Sequence, residues 1–135
     1  MAASKFGNRM ANLQLVEVRD AGSTNERVFM HALEDLNLCN YVVTDTTYRA
    51  DGVPSNKLRH VYEFEARSVK KGEYVSLYSK VGTYNLGETT GSPASPIHKI
   101  YWGLEETIWN KTGDRAHLFY APATERQSKV VSPSK

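Results

Sequence analysis

The sequence predicts an all-β sandwich of seven to nine short strands. Three observations lead there. Apolar residues recur with a period of two over most of the chain, as in Leu13-Gln14-Leu15-Val16-Glu17-Val18 and His60-Val61-Tyr62-Glu63-Phe64-Glu65, the spacing of a strand with one face in a core. These runs are short and are separated by clusters of Gly, Asp, Asn, Ser and Pro, which mark turns. His98 to Tyr120 reads as two paired strands around a sheltered tryptophan, Trp109, with the polar turn Asn110-Lys111-Thr112-Gly113-Asp114 before the second. Turn-separated short strands of this kind indicate a sandwich.

Taken in order, Leu13–Val18 is the first alternating strand, and Asp20-Ala21-Gly22-Ser23-Thr24-Asn25 is a dense turn cluster. Glu26 to Leu33 places Val28, Met30 and Ala32 on one face and Phe29, His31 and Leu33 on the other, and two-sided apolarity suits a central strand. Phe29, Leu33 and Leu36 also fall at helical spacing, but Glu34-Asp35 interrupts the run, so strand is preferred. Tyr41-Val42-Val43-Thr44-Asp45 is aromatic and β-branched, which favours a pleated surface. Thr46 to Leu58, with Asp51-Gly52, Pro54 and Ser55-Asn56, reads as a long loop. In the strand from His60, Tyr62 and Phe64 share its face, and Val61, Glu63 and Glu65 take the other. Lys70-Lys71-Gly72 is a turn whose glycine accepts a positive φ. Val75 and Leu77 are the inward pair of the strand Glu73–Tyr78, and Gly82 to Pro96 reads as a mobile surface loop. Ile97–Trp102 is strand, Gly103–Glu106 a turn, and Thr107–Trp109 a short strand or bend. Arg115–Tyr120 closes the domain with Ala116, Leu118 and Tyr120 on one face.

At 135 residues the chain is one domain's worth. Residues 1–10 read as a flexible lead-in, 11–122 as the domain and 123–135 as a disordered tail. The single cysteine, Cys39, excludes an intramolecular disulfide and reads as a small core hydrophobe. The formal charge of +2 does not predict the strong field of a basic nucleic-acid binder. No stretch approaches the ~18 apolar residues of a membrane span, and the first ten residues hold no apolar core of signal-peptide length. A soluble, cytoplasmic chain is the default expectation, nuclear if the source is eukaryotic.

Three phrases in this order carry a family resemblance: Tyr41-Val42-Val43-Thr44-Asp45; His60-x-Tyr62-x-Phe64 followed by Lys71-Gly72-Glu73-x-Val75-x-Leu77-Tyr78; and Tyr101-Trp102-Gly103 leading to Ile108-Trp109-Asn110-Lys111-Thr112-Gly113-Asp114-Arg115-Ala116-His117-Leu118. The chain from about Ala11 to Tyr120 resembles the lamin tail domain, the module at the carboxyl end of nuclear lamins that also occurs alone or fused in bacterial proteins. The resemblance implies an immunoglobulin-like β-sandwich acting as a non-enzymatic structural module. Family members often carry tryptophan where Tyr41 stands. The sequence has no heptad run, so the filament assembly that a coiled-coil rod supports is not carried over. In the polar turn, Asn110 or Asp114 can accept local backbone N–H bonds and Gly113 can supply a left-handed residue, so Trp109, Asn110, Gly113 and Asp114 are expected to be structural.

Chemistry is harder to find. The histidines, His31, His60, His98 and His117, have no short paired spacing that enforces a metal site. No Gly-x-Ser-x-Gly elbow and no phosphate loop occurs. Glu34-Asp35 and Glu105-Glu106 are adjacent pairs, which on a strand point to opposite faces and solvate loops elsewhere. Asn110-Lys111-Thr112 matches a glycosylation sequon but falls inside the structural turn. Basic residues gather at Lys57, Arg59, Arg67, Lys70 and Lys71, with His60 and Tyr62 among them, and Arg126, Lys129 and Lys135 follow in the tail. Glu63, Glu65 and Glu73 interleave and weaken that field. The expectation is a non-catalytic, cofactor-free module that binds a protein partner through loops 46–58 and 82–96. The alternative is DNA binding through the weak basic strip, and a cryptic hydrolase is the third reading.

Overall fold

The computed structural model describes residues 12–48, 54–109 and 114–131, with side chains described for all of these except 46–48 and 54–59. Ten strands are formed among them: β1 (Leu13–Arg19), β2 (Arg27–Ala32), β3 (Leu36–Asn37), β4 (Tyr41–Tyr48), β5 (Pro54–Glu63), β6 (Ser68–Val69), β7 (Tyr74–Tyr78), β8 (Asn85–Glu88), β9 (Pro96–Tyr101) and β10 (Arg115–Tyr120). They build an all-β sandwich. One sheet has the order β1-β2-β7-β9-β8, the facing sheet β10-β4-β5, and β3 pairs with β6 as a small two-stranded sheet. All neighbours are antiparallel except β7 and β9, which run parallel with Tyr78 beside Tyr101.

Alternation places the core as expected. Val28, Met30, Ala32, Val75, Leu77 and Ile100 enter it from the five-stranded sheet, and Tyr41, Val43 and Phe64 from the opposite side. On β5, His60 and Tyr62 face inward against Trp102, with ring centroids 6.3 and 5.6 Å away, while Val61 is 51% exposed. Burial beside Glu65 raises the Tyr62 phenol above its ordinary value, against a smaller downward pull from Arg67. The Lys70–Glu73 turn closes through the Glu73 N–H to the Lys70 carbonyl at 3.0 Å, and Gly72 has φ +89°, a region open to residues without a Cβ.

Several expectations are corrected. Thr46–Leu58 is not a long loop: β4 runs through Tyr48 and β5 starts at Pro54, with Thr46 opposite Leu58. Proline is tolerated at the first residue of an edge strand, where its missing N–H breaks no ladder, and irregularities between Thr44 and Tyr48 absorb the mismatch. Gly82–Pro96 contains β8, which pairs with β9 from Asn85–Lys99 to Glu88–Pro96. Backbone pairing alone makes that edge strand, so it leaves no apolar period to read. Residues 98–120 do not form a paired ribbon. β9 and β10 belong to different sheets, because the connection crosses the sandwich and seats Trp109, 2% exposed, between them. Of the two readings of Thr107–Trp109, a short strand or a bend, the strand is not formed. Cys39 is half-buried in a short 3-10 turn, Leu38–Asn40, rather than in the core. The turn residues Asn110 to Gly113 lie outside the described residues, while Asp114 is half-buried.

The approach of Trp109 is held from elsewhere. Glu26 is fully buried, and its carboxylate accepts the N–H groups of Ile108 at 2.8 Å, Trp109 at 3.3 Å and Gly22 at 3.0 Å, together with the Ser79 hydroxyl at 2.5 Å. Beyond Pro122, Ala123–Glu125 forms a 3-10 turn. Arg126 donates to the carbonyls of Ala121 and Cys39 and to Glu63, so the chain is docked past the boundary drawn at residue 122. Among the described residues no helix is long and apolar enough to cross a membrane.

Candidate functional site

The outer face of the five-stranded sheet carries a broad concave surface. It follows from the same alternation that fills the core. With Val28, Met30, Val75 and Leu77 turned in, Arg27, Phe29, Tyr74, Ser76 and Tyr78 turn out, joined by Ile97, Lys99 and Tyr101 of β9. A groove of about 570 Å³ runs over these residues other than Tyr101, bounded by Arg19 on β1 and by the segment from Glu88, at the end of β8, to Ser95. A shallower recess continues past Arg27, Tyr78 and Lys99 to Lys80, Asp20 and Tyr101.

Its aromatic groups are stacked on each other. Phe29 and Tyr74 lie with centroids 5.1 Å apart, His31 and Tyr74 at 4.4 Å, and Tyr78 and Tyr101 at 5.1 Å. The Arg19 guanidinium sits 3.7 Å over Phe29 and that of Arg27 5.6 Å over Tyr78, within reach of cation–π attraction. Tyr101 lies flat on Gly82, where a Cβ would overlap the ring. Both guanidinium groups are paired to surface carboxylates, Arg19 to Glu17 at 2.9 Å and Arg27 to Asp20 at 2.7 Å. Ser76, in the groove floor, is fully buried, and its hydroxyl has no hydrogen-bond partner among the described residues.

A second polar cluster sits inside the sandwich edge. His98 Nε2 is 2.9 Å from Glu73 Oε1, and Nδ1 is 2.9 Å from the Tyr84 hydroxyl. A neutral imidazole protonated at Nε2 satisfies both contacts. Burial acts most strongly on Glu73 and pushes upward, but the bonds from His98 and the Lys70 amide outweigh it and hold the carboxyl below its usual range. His60 is tied to buried Asp45 through its N–H at 2.8 Å and Nδ1 at 3.0 Å. His117 stacks on Phe119. The four histidines thus occupy four strands, and no group of three or more His, Cys, Asp or Glu among the described residues is placed to hold a metal ion.

The basic strip is only partly brought together. Lys57 and Arg59 lie on the edge strand β5, with side chains outside the described set. Arg67 turns onto the Tyr84 ring, 3.3 Å from its centroid. Lys70 and Lys71 sit at the turn before β7, where Lys71 is 3.7 Å from Glu34 and its amide donates to Asp35. Of the three whose side chains are described, Arg67, Lys70 and Lys71, none lines the sheet-face groove. The sequence reading overlooked Arg19, Arg27, Tyr74, Tyr78, Lys99 and Tyr101 as site residues. Their signal was present: Arg27-x-Phe29-x-His31, Tyr74-x-Ser76-x-Tyr78 and Ile97-x-Lys99-x-Tyr101 all alternate on the face opposite the core, and only strand order reveals that they adjoin. No protein-family model matches this chain, and no curated protein matches it either.

Proposed function

We propose that this chain is a non-catalytic interaction module of the lamin-tail, immunoglobulin-like kind, and that it takes a protein partner on the outer face of its five-stranded sheet. One observation carries the reading: the groove over Phe29, Tyr74 and Tyr78, walled by residues 88–95. It is concave, aromatic and edged with arginine, the residue types that dominate binding energy at protein interfaces. The segment 82–96, expected from sequence to be a binding loop, forms its rim, whereas 46–58 is mostly strand. The family part of the proposal draws on the quoted phrases. Their Phe64 and Trp109 are buried in the core and their Tyr62 packs against it.

The test is to replace residues 90–94 with a shorter glycine-containing turn and compare partner binding with the unaltered chain. Tm should stay within about 3 °C, since surface changes are ordinarily worth less than ~0.5 kcal/mol, while partner binding is lost. Collapse of the fold, or a partner bound equally well by both forms, overturns the reading.

A further inference from the structure

We propose that the sheet-face groove seats the anionic side chains of an extended protein segment, a run bearing carboxylates or phosphorylated residues. The inference rests on the reading of this face as the partner surface and adds the chemistry of what binds there. Arg19, Arg27 and Lys99 line the groove against Glu88 as its single acid, and the adjoining recess adds Lys80 and Asp20. This concentration of positive charge stands on a chain whose whole formal charge is +2.

The cations are arranged to be used. The Arg19 guanidinium lies 3.7 Å over the Phe29 ring and that of Arg27 5.6 Å over Tyr78, so both are positioned over the groove before any ligand arrives. The carboxylates they now hold are weak competitors. Glu17 and Asp20 are 51% and 58% exposed, and exposed pairs are worth ~0–1 kcal/mol, so an incoming carboxylate or phosphate displaces them at little cost. Lys99 has no carboxylate partner among the described residues. Its Cε and Nζ pass 3.0 and 3.3 Å from where a Cβ would stand on Gly87. The missing side chain at 87 leaves the lysine a path along β8 toward the groove rim.

The same geometry disfavours a nucleic acid. Sequence-tolerant binding of single strands needs ring faces on which bases stack. Here the rings are already covered: Phe29 between Arg19 and Tyr74, and Tyr101 between Tyr78 and Gly82. Charge without open rings suits carboxylates and phosphates on a peptide.

Labelled short peptides test this by fluorescence anisotropy at low salt: a glutamate-rich peptide, its phosphoserine counterpart, a glutamine-rich control, and an oligothymidylate of equal charge. The acidic peptide, the phosphopeptide or both should bind, and the ratio of the two affinities identifies the preferred anion. Lys99→Gln and Arg27→Ala should each weaken binding about fivefold or more, Lys99→Arg should retain it, and Lys70→Ala, away from the groove, should leave it unchanged. Thermal melts of each variant confirm that it is folded. Equal binding of the glutamine-rich peptide, equal loss with Lys70→Ala, or preferential binding of the oligothymidylate overturns the proposal. If both anionic peptides fail while removal of residues 90–94 still abolishes partner binding, the anion chemistry is wrong and the binding face stands. If neither responds, both readings fall.

Discussion

Replacing Glu26 with alanine removes the acceptor for the N–H groups of Gly22, Ile108 and Trp109 and for the Ser79 hydroxyl. The connection leaves the sheet after Trp102, Gly103 and Leu104, whose N–H groups donate to the carbonyls of Tyr78, Lys80 and Ser79, and at its far end the Glu26 carboxylate takes the N–H groups of Ile108 and Trp109. A buried donor left without a partner costs about 1–3 kcal/mol. Ser79 and Trp109 are buried and Ile108 half-buried, so water reaches these three donors poorly, whereas Gly22 is exposed and can hydrate. Together with the cavity, the expected loss is roughly 3–6 kcal/mol, a large share of the ~5–15 kcal/mol that holds a domain. Each kcal/mol lowers Tm by about 3–6 °C in a domain of this size. Glu26→Gln keeps the shape but turns an amide N–H₂ toward N–H donors, and should cost about half as much. Urea titration followed by tryptophan fluorescence gives the stability, and hydrogen exchange at the Ile108 and Trp109 amides gives the local effect, which should be faster exchange. An alanine variant melting within about 3 °C of the original, with unchanged exchange at those amides, would refute the argument that Glu26 holds the crossing.

Other outcomes follow from the same geometry. Trp109→Ala should cost about 3–5 kcal/mol, as deletion of a buried tryptophan ordinarily does, and leave the chain largely unfolded at 37 °C; a thermal melt with little change would contradict it. Gly82→Ala should push Tyr101 off Tyr78 and cost about 1–3 kcal/mol, with a changed near-ultraviolet circular dichroism signal; an unchanged spectrum would mean the ring does not lie on residue 82. Glu73, held below its ordinary 4.5, should contribute stability that is full above that value and lost as pH falls through the lowered one. Tyr41, pushed up to about 12 by burial and then by Tyr120, should contribute stability present below pH 10 and lost as pH climbs from 10 toward 12. Glu73→Gln and Tyr41→Phe should flatten the acid and alkaline arms respectively in a Tm-against-pH series. On immobilised duplex DNA the chain should be retained weakly and released by about 0.1–0.2 M salt, because few phosphate contacts give a shallow but early loss; retention beyond that range, removed by Lys57→Ala with Arg59→Ala, would make the basic strip a binding site.

Much of the fold was legible because alternation is a local property. Leu13, Val28, Met30, Val75 and Leu77 announce their inward faces from their own neighbours, and Gly72 and the Asp20–Asn25 cluster announce their turns. β8 was not legible, because an exposed edge strand such as Asn85-Leu86-Gly87-Glu88 is made by hydrogen bonds to β9 and buries almost nothing. Nor was the role of Glu26. A lone glutamate at the start of a strand reads as solvent-facing until residues Ser79, Ile108 and Trp109, far along the chain, bring it their donors.

The site divides in the same way. That residues 27, 29, 74, 78, 97 and 99 lie on the faces opposite the core is set by period two and is written in the chain. That they form one groove is set by strand order, above all by the parallel pairing of β7 with β9, which puts Tyr78 against Tyr101 and Ser76 against Lys99. Period fixes which side a residue faces, because it depends only on adjacent peptides. Adjacency across a sheet depends on contacts between segments distant in sequence, so only the folded chain decides it.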